Sequence, residues 1–161
     1  MSALAPNSFF GRLGALYCAA TRQIDKLQPL LLLAFRLYVA RVFLMSGLTK
    51  IHDWSVTVAL FTDEYHVPVL PPGIAALMGT ATELSMPILL AVGLATRFGA
   101  FVLFFFNIIA VVSYASLSGI AVKDHYLWGV LILVVLVFGP GKISIDHWLE
   151  GRRSQHRLPS R

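Results

Sequence analysis

Residues 98–122 read FGAFVLFFFNIIAVVSYASLSGIAV, a run without one charged side chain. A helix that crosses a hydrocarbon layer about 30 Å thick needs roughly 20 mainly apolar residues. Inside that layer the backbone polar groups must be satisfied internally, which favours a helix. This stretch is therefore predicted to span a membrane. Working outward, charges bracket three further spans. Arg36 and Arg41 are the only charges between Lys26 and Lys50, which places a first span at 29–49. Glu83 is the only charge between Glu64 and Arg97, which places a second at 72–95. The quoted run is the third. From His125 to Gly141 the chain is again uncharged but short, so the fourth span is predicted to begin near Ile120, with Lys123 and Asp124 lifting their heads into the interface.

The composition of the whole chain agrees. Of 161 residues, 57% are hydrophobic and 13% charged, against about 45–50% and about 25% in average soluble chains. Mean hydropathy is +0.75. A soluble globular enzyme is excluded. So is an ordinary nucleic-acid binder, because the pI of 9.7 reflects basic residues gathered mainly at the chain ends. Cys18 is the one cysteine, so an intramolecular disulfide, a CxxC pair and an iron–sulfur cage are all excluded. Redox chemistry would have to use a bound cofactor or a partner.

Basic residues orient the bundle. Arg12, Arg22 and Lys26, then Arg97, then Lys142, Arg152, Arg153, Arg157 and Arg161 fall on one side, whereas Lys50 and Lys123 alone fall on the other. The positive-inside rule predicts both termini in the cytoplasm. No cleaved signal peptide is expected, since the first long apolar run is interrupted by arginine and lacks a small-residue cleavage pattern. Phe9, Leu13, Leu16, Ala20, Ile24 and Leu27 form an apolar stripe beside Arg12, Arg22 and Lys26; a helix lying on the inner leaflet and a helix packed on the bundle both fit it. Three regions result: an amphipathic segment at 1–28, a four-span domain at 29–141 and a basic tail at 142–161. In the loop after the first span, Asp53 is a candidate N-cap for a short interfacial helix with Trp54, Val58 and Phe61 on one face. Val67 to Gly73 reads as an extended re-entry turn, with Pro72 suited to the first turn of the second span. Ser144 is a candidate cap for a short terminal helix.

Charges in mid-bilayer cost about 2.5 kcal/mol or more and demand a partner, a wet cavity or a function. Counting about 1.5 Å per residue from Lys26 and Arg97 predicts two polar layers, Arg41 with Glu83 and Arg36 with Asn107; Arg36 with Glu83 is the alternative. Such groups either fix helix register as an ion pair or line a buried cavity for a quinone, a lipid-like molecule or a proton, with Glu83 as the titrating group. His125 and Trp128 are further candidates for quinone contact. His52, His66 and His125 fall on the outer side and are candidate metal ligands, although no two share a spacing that forces them onto one ion. Mid-membrane histidines suited to haem are absent, as are a catalytic triad and, at Gly139-Pro140-Gly141-Lys142, the spacing of a phosphate loop. No nucleotide is expected.

Arg36-x3-Ala40-x2-Phe43-x3-Gly47-x2-Lys50 resembles the first-helix signature of the DoxX family of small four-helix membrane proteins. The resemblance continues through Val67-Pro68-Val69-Leu70-Pro71-Pro72, Thr82-Glu83-Leu84 with Pro87, Gly93-Leu94-Ala95-Thr96-Arg97, Asn107 with Ser113-Tyr114, Asp124-His125 with Trp128, and Gly139 to His147. It covers roughly Phe35 to Leu149. Arg41 stands where relatives usually carry an uncharged residue. The resemblance implies an all-α four-helix bundle in the bacterial inner membrane. It also implies links to thiosulfate:quinone oxidoreductase, to oxidative-stress complexes and, for the branch with these proline and glycine blocks, to maturation of copper-binding modified peptides. The expected role is a non-catalytic accessory subunit of such a redox or metal-peptide system, held by membrane lipids and a protein partner or a second copy. The alternatives are a quinone-binding component of a membrane oxidoreductase and an outer-face copper-handling protein.

Overall fold

The computed structural model describes residues 9–114 and 119–155. They form seven helices: α1 (Phe9–Asp25), α2 (Gln28–His52), α3 (Trp54–Asp63), α4 (Pro72–Val92), α5 (Thr96–Ser113), α6 (Gly119–Phe138) and α7 (Ile145–Gln155). An isolated antiparallel bridge between Tyr65 and Tyr114 is the β-type pairing among the described residues. Four helical stretches are long and apolar enough to cross a membrane: Arg12–His52, in which α1 runs into α2, and then α4, α5 and α6. The all-α, four-span architecture expected from hydropathy is the one found.

Local chemistry sets the ends. A proline in the first turn starts both α2 and α4, where its missing N–H removes no helical bond. Asp53 caps α3, accepting from Val56 N–H at 3.1 Å. Gly93, at φ 72°, terminates α4 in the left-handed conformation, with its own N–H and that of Leu94 both returning to Leu89 C=O at 2.9 and 3.0 Å. Ser144 Oγ accepts from His147 N–H at 3.1 Å at the start of α7.

The third span departs from expectation. The uncharged run 98–122 holds most of α5 and the start of α6, because α5 ends at Ser113 and Tyr114 leaves the helix at φ −103°, ψ 85°. Residue 66 pulls the chain aside: His66 N–H bonds Ser113 C=O at 2.8 Å, next to the Tyr65–Tyr114 bridge. Lack of charge marks an apolar run but not a helix end inside it.

Helices α2, α4, α5 and α6 pack around one core, with α3 laid against α4 and α2. Val39, Ala40, Phe43, Leu90, Ala100, Leu103, Ile132 and Val135 form that core. Small residues let the backbones approach, as in many membrane bundles. Gly47 of α2 faces Glu83 of α4 so closely that a Cβ there would sit 3.0 Å from Glu83 Cβ and from Leu84 Cδ2. The stripe of Phe9, Leu13, Leu16, Ala20 and Ile24 on α1, with Leu27 just after it, is exposed rather than packed on the bundle.

Candidate functional site

Arg36 is 1% exposed, and all four of its hydrogen bonds go to carbonyl groups. Its Nε donates to Leu90 C=O at 2.8 Å and Nη2 to Ala91 C=O at 3.1 Å, both in the last turn of α4. Its Nη1 donates to Pro140 C=O at 2.7 Å and to Ile143 C=O at 2.8 Å, in the turn after α6. The last carbonyls of a helix lack intrahelical partners and carry the negative end of its dipole. One planar guanidinium fork thus closes the end of α4 and pins the turn behind α6. Gly139 and Gly141, at φ 82° and 73°, shape that turn. A Cβ on Gly93 would collide with the Arg36 guanidinium. The expected pairing of Arg36 with Asn107 or Glu83 is corrected: its hydrogen-bonding capacity goes to helix ends. Asp146 completes this end of the molecule, accepting from Ala95 and Thr96 N–H at 2.8 Å each. Partial burial opposes its charge, but those amides and the Arg36 charge prevail and hold its carboxyl below the usual carboxylate range.

Glu83 lies in the middle of α4 and finds its cation in Lys50. Lys50 Nζ is 2.6 Å from Glu83 Oε2, with the side chains 16% and 7% exposed. Ser46, one turn below Lys50 on α2, accepts from Nζ at 2.9 Å and donates to Glu83 Oε1 at 3.2 Å. The expected Arg41–Glu83 pair is likewise corrected: Arg41 is exposed, and Lys50–Glu83 is the ion pair among the described residues. Taking Lys26 and Arg97 as one level caused the error. Arg36 lies level with Leu90 and Ala91, and Gly47 with Glu83, so Arg97 lies level with residues a turn or two beyond Lys26.

Asn107 and His125 form a second polar pair, between α5 and α6. Asn107 Nδ2 donates to His125 C=O at 3.0 Å, and His125 Nδ1 lies 2.7 Å from Asn107 Oδ1. A carbonyl can only accept, which fixes the amide's orientation and puts the imidazole proton on Nδ1. His125 Nε2 remains for another partner. The His125 ring meets Trp128 edge to face at 4.8 Å, and Trp128 meets Phe43 at 5.8 Å. Trp128 Nε1 and Ser113 Oγ are buried without a hydrogen-bond partner, which carries a real penalty in an apolar interior.

These groups converge on one cavity of about 680 Å³, within the usual range of roughly 300–1,000 Å³ for small-molecule sites. Phe43, Phe101, Phe105, Phe106, Met78 and Ile109 contribute apolar wall, while Lys50, Ser46, Glu83, Ser113, His125 and Trp128 supply polar points. Phe61, Tyr65 and Val67 reach it from the α3 side. Tyr65 stacks edge to face with Phe61 at 5.0 Å and Tyr114 at 4.9 Å; burial, and then the neighbouring Tyr114, raise its phenol above the ordinary tyrosine range. The wall is apolar with a few convergent donors and acceptors, a surface suited to a ring-bearing amphiphile.

Of the predicted site residues, the structure brings Glu83, His125 and Trp128 to the cavity, with Asn107 behind His125, and leaves Arg36 and Arg41 outside it. His52 and His66 are exposed, and no group of three or more His, Cys, Asp or Glu side chains suited to a metal occurs among the described residues. His52, His66 and His125 are thus not gathered on one ion. Lys50, Ser46, Ser113 and Tyr65 escaped the sequence reading. Phe43, Ser46, Gly47 and Lys50 recur at helical spacing on the face of α2 that meets α4, and that recurrence is the signal which pointed to Lys50.

A family model described as DoxX matches residues 31–116. No curated protein and no solved structure matches the chain.

Proposed function

The chain belongs to the DoxX family, and on that premise we propose that it is an accessory component of a redox system in the bacterial inner membrane that binds a quinone-like amphiphile between its helices. The observation that carries this reading is the aromatic-walled cavity, with buried and unpartnered donors at Trp128 Nε1 and Ser113 Oγ. The residues fit a quinone. Its ring suits the phenylalanine wall, its carbonyl oxygens suit those donors, and its tail suits the apolar gaps between helices. When bound, such a group supplies two-electron, two-proton carrier chemistry. The chain's part is to hold and orient it: Trp128 and Ser113 donate, His125 Nε2 offers an acceptor fixed by Asn107, and the Lys50–Glu83 pair holds a proton-exchanging carboxylate at the cavity edge. In the proposed orientation both termini are cytoplasmic and α3 lies at the outer face.

Titration of the purified protein in nanodiscs with a short-chain quinone tests this directly. Quenching of tryptophan fluorescence is expected to saturate. Ser113→Ala and Trp128→Phe each remove a donor worth about 1 kcal/mol, or about fivefold in Kd, and Glu83→Gln, which leaves Lys50 without its counter-charge, weakens binding and lowers thermal stability. Normal quinone binding by Glu83→Gln would exclude the cavity as the site.

A further inference from the structure

Arg41 lies in α2, thirteen residues after Gln28 and eleven before His52, so each helix end is roughly 16–20 Å away. Its exposed neighbours on that face are Ala34, Leu37, Tyr38, Met45 and Leu48. Acyl chains satisfy those five. They do not satisfy a guanidinium, which is expensive at this depth without a partner and is too far from either end to reach headgroups readily.

The chain itself offers no counter-ion. Its acids are Asp25, Asp53, Asp63, Glu64, Glu83, Asp124, Asp146 and Glu150. Glu83 alone sits well inside a span, and it is buried against Lys50. The residues outside the described ones contain no acid. A second copy in the same orientation therefore brings no free carboxylate to the depth of Arg41. Nor is Arg41 engaged within the bundle, since Arg36 performs the helix-closing work and Lys50 the pairing with Glu83.

We propose that the α2 face centred on Arg41 docks a transmembrane helix of a different protein, one carrying a carboxylate near the middle of its span. This surface is separate from the cavity and stands whether or not the cavity takes a quinone. Association by this route places an apolar helix against Leu37, Tyr38, Met45 and Leu48, with an Arg–carboxylate bond at its centre.

The test uses the full-length protein in phosphatidylcholine vesicles and a synthetic Leu/Ala transmembrane peptide bearing one central Glu, with a matched central-Gln control. Energy transfer between labelled protein and peptide is expected to show about tenfold tighter association for the Glu peptide, as for a desolvated charge-assisted pair. Arg41→Leu should abolish the preference and Arg41→Lys retain part of it. Equal affinity for both peptides overturns the proposal. So does a preference that survives in Arg41→Leu. Arg41-dependent self-association without peptide would assign the face to a second copy. An Arg41 effect seen only when anionic lipid is added would assign the charge to headgroups. Either result rejects the partner-helix reading.

Discussion

Arg36 and Glu83 are both buried charges, yet they do different work. Arg36 is consumed by four carbonyls at the ends of two helical segments. Glu83 meets a lysine and a hydroxyl at the wall of a cavity. A residue count along the chain could identify both as exceptional, because a charge in an apolar run stands out at once. It could not identify their partners. Carbonyl groups are invisible in residue identity, and Lys50 looks like an interfacial anchor until its side chain is seen turning back along α2. Asp146 is a similar case, since its role in capping α5 comes from 50 residues away. Its depressed carboxyl means that the folded state binds a proton less readily than the unfolded chain. Its stabilising contribution is therefore complete above about pH 4 and is lost as pH falls through the lower folded-state value. Thermal unfolding in detergent at pH 6 and pH 3 is expected to show a drop in Tm that is smaller in Asp146→Asn than in the parent.

At the scale of elements, the α2–α4 pair sets the geometry of the site. Gly47 allows the two backbones to close on each other and brings Glu83 within reach of Ser46 and Lys50. Gly47→Ala would place a methyl 3.0 Å from Glu83 Cβ and 3.1 Å from its backbone carbon, positions that cannot retreat as a flexible side-chain tip can. The expected loss is about 1–3 kcal/mol of stability, with weakened ligand binding through a displaced Lys50–Glu83 pair. Equilibrium unfolding in mixed micelles checks the first effect and the quinone titration the second. The helix boundaries at Asp53, Pro72 and Ser144 were readable because capping is local chemistry. The end of α5 was not, because its cause is the tie from His66 to Ser113, a contact made across the fold.

For the molecule as a whole, the even number of spans and the distribution of Lys and Arg lead to a testable topology. Cys18 is the single native thiol and is exposed in α1. A membrane-impermeant maleimide is expected to label it in inverted inner-membrane vesicles and not in intact spheroplasts. A thiol added beyond Arg161 in a Cys18→Ser background should follow the same pattern. Labelling of the two positions from opposite sides would refute an even number of crossings.

The class, the approximate spans and the family were settled by residue order alone, because hydropathy, caps and linear motifs are properties of neighbouring residues. The identity of each charge's partner, the break between α5 and α6 and the existence of the cavity were decided by tertiary packing. The cause is geometric. Antiparallel helices can slide past one another by a turn without altering hydropathy, and it is close contact at Gly47, together with the Arg36 fork, that selects the register in which Lys50 meets Glu83.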